Sequence, residues 1–98
     1  MNEIYNILLP LATNDYQNRD GNYPKSGVTD SIYVSSVDIA FSFKNTSESM
    51  AKRWVINFLA KYNLEVDETN VAVMQSGDYT NDWVDVSVLL RHIRLIQN

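Results

Sequence analysis

A chain of 98 residues with 45% apolar and 20% charged side chains can form one domain with its own core, and is too apolar for wholesale disorder. It has no cysteine, which excludes disulfides, thiolate metal sites and thiol nucleophiles and fits a cytoplasmic location. A net charge of −4 argues against nonspecific nucleic-acid binding, which needs cations to displace counterions from phosphates.

Residues 3–12 alternate Tyr5, Ile7, Leu9 and Leu11 against Ile4, Asn6 and Leu8, which predicts a first strand. Pro10 marks its end, a bulge or an edge position, because proline cannot donate to a ladder. The stretch has no basic leader, and its apolar run is too short to span a bilayer, so neither a signal peptide nor a membrane segment is expected. Residues 13–30 then show no periodicity and many turn formers. Loops longer than ~12–15 residues are usually functional or disordered. If functional, Tyr16, Arg19, Tyr23 and Lys25 are its secondary partner-binding candidates, since aromatics and arginine dominate interface hot spots.

Residues 31–44 predict the second strand, with Val37, Ile39, Phe41 and Phe43 on one face against Asp38, Ala40, Ser42 and Lys44. Ile32 and Val34 have the opposite parity, so a bulge or bend is expected near Ser35–Ser36. A helix follows over 45–63. Asn45 is its expected N-cap, with Glu48 three residues on, and Ala51, Trp54, Val55, Phe58, Leu59 and Tyr62 form one apolar stripe. Ile56 falls among Lys52, Arg53 and Ala60 and reads as a scattered surface residue. Asn63 suits a left-handed helix end, with Leu64 folding back.

Val71–Met74 predicts the third strand, 76–82 a turn-rich connection, and Trp83–Leu90 a long last strand continuing past Leu90. The expected fold is α+β in the order β-β-α-β-β. It is a single domain whose mainly antiparallel sheet of about four strands carries one helix on one face. Strands two and three, joined by the helix, should run parallel, with each outer strand pairing as a hairpin. Residues 13–30 and the 76–82 turn would then lie at opposite ends. The uncovered face, with Leu8, Leu89 and Ile93, would suit a homodimer or partner.

Catalytic constellations are weak. His92 is the only histidine, between Arg91 and Arg94, and reads as structural. Glu65, Asp67 and Glu68 lack the central glycine of a calcium loop, and no nucleophile elbow or phosphate-cradling loop is present. No enzyme, cofactor or metal is expected.

Charge is segregated instead. Lys44 to Lys61 holds four bases and one acid, whereas Tyr62 to Leu90 holds six acids and no base. Asp78, Tyr79, Asp82, Trp83, Asp85 and Glu68 are therefore the main partner-binding candidates, an acidic hairpin with aromatic anchors for a protein with a basic surface. By class-level analogy alone, this profile fits a stoichiometric inhibitor of a bacterial enzyme or defence complex, of the anti-CRISPR or anti-restriction type carried by phage. Three alternatives are a toxin-neutralising immunity protein, a single-stranded nucleic-acid module using Tyr5 and Tyr33, and a small-molecule-binding or enzymatic dimer.

Overall fold

A computed structural model describes residues 3–12, 31–44, 46–78 and 81–96, with backbone alone for 31, 76–78 and 81–83. Alternating polarity builds a four-stranded antiparallel sheet from β1 (Ser31–Val34), β2 (Asp38–Lys44), β4 (Val71–Asp78) and β5 (Asn81–Leu89), in the order β1-β2-β5-β4. Helices α1 (Glu3–Leu8) and α2 (Glu48–Ala60) complete the main elements, and β3 (Leu64–Val66) pairs antiparallel with β6 (Ile93–Leu95) as a second, smaller sheet. The α+β class, the four-stranded antiparallel sheet and the helix on one face are as expected.

The first strand is not. Residues 3–8 are helical and Leu9–Leu11 form a 3-10 turn. Two periods fit this stretch, and the helical one wins: Ile4, Ile7, Leu8 and Leu11 have i, i+3, i+4, i+7 spacing and all pack on the core. Leu8 is fully buried while Leu9, on the other period, is exposed. A six-residue helix has little stability of its own, so this packing is what holds it.

The segment 31–44 supplies two strands instead of one. The parity break marks a tight turn rather than a bulge: the Ser35 N–H donates to the Asp38 carbonyl (2.9 Å) and the Ser35 Oγ–H to Asp38 Oδ1 (2.7 Å). Val37, expected on the core face, is 64% exposed at this turn. The β-β-α-β-β order therefore holds for the main sheet, carried by β1, β2, α2, β4 and β5.

β2 and β4 do run parallel, as their helical connection requires, but β5 lies between them and pairs antiparallel with both. The last strand is thus central, where Val84, Val86 and Val88 are buried beside Ile39, Phe41 and Phe43. Ser31 sits opposite Ser42, at the end of the sheet that also carries the β4–β5 turn. The expected separation of residues 13–30 from that turn falls on residues outside those described. Past Leu89 the chain makes a 3-10 turn, Leu90–His92, before β6. Leu8 and Ile93 are buried in the core rather than displayed on the uncovered face.

α2 begins two residues later than expected. Ser47 is its N-cap, its Oγ accepting from the Met50 N–H at 3.2 Å. Asn45 lies outside the described residues. Its end is as expected: Asn63 takes φ 60° and Leu64 is fully buried.

Leu8→Ala should therefore cost about 2–5 kcal/mol and lower the urea midpoint without changing the denaturant slope. A loss below about 0.5 kcal/mol, the range of neutral surface substitutions, would show that α1 is not docked.

Candidate functional site

The acidic hairpin outruns the rest of the sheet. β5 pairs with β2 from Asp38↔Leu89 to Lys44↔Trp83, but with β4 it continues through Gly77↔Asp82 to Asp78↔Asn81. The last two pairs lie beyond β2, so Asp78 and Asp82 sit on the backbone of a projecting two-stranded ribbon. Tyr79 and the side chains of Asp78, Asp82 and Trp83 lie outside the described residues, as do Tyr16, Arg19, Tyr23 and Lys25.

The remaining candidates do not join this tip. Asp85 faces Ser42 across the β2–β5 ladder, and the Ser42 Oγ–H donates to Asp85 Oδ1 at 2.8 Å. Ser42 is only 4% exposed and Asp85 half-buried, so this carboxylate is engaged within the sheet. It lies on the face away from α2, because Val84 and Val86 take the alternate, helix-facing positions. Glu68 is exposed in the Glu68–Asn70 turn ahead of β4. The other acids of the stretch are partly used locally. Asp67 caps that turn by accepting from the Thr69 N–H, and Glu65 meets Arg94 at 3.9 Å in an exposed pair worth little.

Glu68 instead joins the basic helix face. Between α2 and β4 an open cleft of about 550 Å³ is lined by Glu48, Ser49, Lys52, Arg53, Ile56, Glu68, Val71 and Val73. Ile56, Val71 and Val73 form its apolar part, and Lys52, Arg53, Glu48 and Glu68 supply two charges of each sign. None of the four is in an ion pair or hydrogen bond among the described residues. Ile56 is half-buried and packs against the core, so it is not the scattered surface residue its neighbours imply. The sequence signal was present but needed the topology: Ile56 and Val73 meet only once β4 is known to be the strand under that flank of α2.

No group of three or more metal-ligating side chains occurs among the described residues. His92 lies in the 3-10 turn before β6, with a buried Nδ1 that has no hydrogen-bond partner among the described residues. Tyr5 is on α1 and packs on the core, so it cannot form a sheet platform for bases with Tyr33. Among the described residues, no helix is long and apolar enough to cross a membrane. Comparison with protein-family models, curated proteins and solved structures finds no match to this chain.

The two described candidate acids should behave oppositely. Asp85→Ala removes the carboxylate that accepts the Ser42 Oγ–H across the ladder, a charge-assisted hydrogen bond, and should cost about 1–3 kcal/mol. Glu68→Gln, exposed and unpaired, should stay within about 0.5 kcal/mol of the parent. Equal denaturation midpoints for the two variants would refute the distinction.

Proposed function

We propose that this protein is a stoichiometric binder, an inhibitor rather than an enzyme, which sets the acidic tip of the β4–β5 hairpin against a basic surface on another macromolecule. The observation that carries this reading is the overhang of the hairpin beyond β2. Among the described residues no strand flanks these last two pairs, and a two-stranded ribbon can enter a concave surface that a full sheet edge could not. The residue types of the hairpin suit such a contact, with Asp78 and Asp82 on the overhang for long-range attraction, and Tyr79 together with Trp83, at the last pair with β2, for desolvated packing.

Basic concave surfaces are characteristic of proteins that bind nucleic acid, since phosphate neutralisation supplies most of their affinity. A bacterial nuclease-defence complex or a nuclease toxin would offer one, and an acidic tip would compete there with the nucleic acid for the same cations. Capture should therefore weaken steeply with salt, as screening shortens the attraction to about 8 Å at physiological ionic strength.

Tagged protein used as bait in bacterial lysate at low salt should retain a partner that elutes as salt rises. D78K/D82K should lose that partner, while Glu68→Lys, remote from the tip, should retain it. Undiminished capture by D78K/D82K would end the acidic-tip reading.

A further inference from the structure

We infer that the outer edge of β4 is a homodimer interface, in which two copies pair β4 against β4 antiparallel about a two-fold axis and close their α2–β4 clefts against one another. This goes beyond the binding role of the hairpin tip and uses a different part of the same strand.

Among the described residues the edge carries none of the usual protections. β4 is eight residues long, VAVMQSGD, and its first seven positions hold no lysine, proline or other charge. It is the terminal strand of its sheet, so every second residue turns its N–H and C=O away from β5. Met74 is 69% exposed beside it.

The charges of the cleft favour a second copy over a foreign segment. A uniformly acidic or basic peptide would meet two like charges, from either Glu48 and Glu68 or Lys52 and Arg53. A two-fold axis instead presents both signs to both signs, which an isologous interface requires. Side-chain volumes complement in the same way. In antiparallel pairing about Val73, residue 71 faces 75 and residue 72 faces 74 of the other copy. The bulky Met74 then lies over Ala72, and Val73 faces its own counterpart. The half-buried Ile56 and Val73 of both copies are shut from water. The pairing uses 71–75, so both tips stay free and point in opposite directions. The partner surface expected on the uncovered sheet face is thereby relocated to the sheet edge.

Sedimentation velocity on the full chain over a concentration series should show a reversible monomer–dimer equilibrium. Met74→Lys, at an exposed position, should raise the dissociation constant by about tenfold or more. K52E/R53E should weaken the dimer, and adding E48K/E68K should restore it. Because the chain has no cysteine, Val73→Cys should give one intermolecular disulfide under mild oxidation. Circular dichroism confirms that each variant is folded. A monomer at every concentration, a dimer indifferent to Met74→Lys, or a monomer that takes a foreign peptide in the cleft would overturn the inference.

Discussion

The packing of Trp54 and Phe58 on Phe41 and Phe43 decides how α2 sits, and much of the surface follows from it. Trp54 and Phe58 stack with centroids 5.1 Å apart, and each meets Phe41 edge-on, at 6.0 and 5.6 Å. Trp54 also meets Phe43 edge-on at 5.4 Å. Such pairs are worth about 0.5–1.5 kcal/mol each beyond the area they bury, and their geometry is directional. They therefore fix the rotation of the helix as well as its attachment. Trp54 and Ile56 are roughly 200° apart around a helix of 3.6 residues per turn. With Ala51, Val55 and Leu59 buried between them, locking the tryptophan flank over β2 leaves Ile56, Lys52 and Arg53 facing β4. The cleft is the far side of an aromatic contact.

The sheet obeys a second constraint, strand length. β5 is nine residues long and pairs on both edges, with seven residues of β2 and eight of β4. A strand in that position must alternate cleanly: Val84, Val86 and Val88 enter the core while Asp85 and Ser87 stay half-buried on the other face. Its length beyond β2 is also what lets the hairpin project. Core registration and surface reach are thus set by the same strand.

Much of this was legible in the residues. α2, its Asn63 terminus and the alternation of β2 were readable, whereas 76–82, expected as a turn-rich connection, is strand at 76–78 and 81–82, where the two strands pair on past the turn-forming residue types. The misses arose where two readings competed. Residues 4–11 satisfy both a period of two and a helical stripe, and only the existence of a core surface for Leu8 to enter chooses between them. The parity break before Asp38 is equally consistent with a bulge and with a reversal of direction, and the Ser35 hydrogen bonds to Asp38 resolve it. Strand order was out of reach, because local patterning fixes which face a residue takes but not which strand lies beside it. The candidate site suffered from that gap. Glu68 and Asp85 are near in sequence to the acidic turn, yet one faces the helix side of the sheet and the other hydrogen-bonds Ser42 on the opposite side. Ile56 looked incidental for the same reason, since its neighbour β4 is contributed from fifteen residues and more downstream.

β4 shows how one strand can carry several demands without conflict. Val71 is nearly fully buried and anchors the strand's start in the core, whereas Met74 stands in solvent three residues later. An uncharged edge of this length would ordinarily invite indiscriminate pairing, and most proteins place a lysine or proline within it as a deterrent. Here the nearest ions stand beside the strand, on α2 and on the turn before β4, where they border the cleft without interrupting the edge. A segment approaching that edge would meet both signs of charge at once. The dock of Trp54 on β2 is what holds those ions at the β4 side, so the charged lining of the cleft depends on aromatic packing on the opposite flank of the helix.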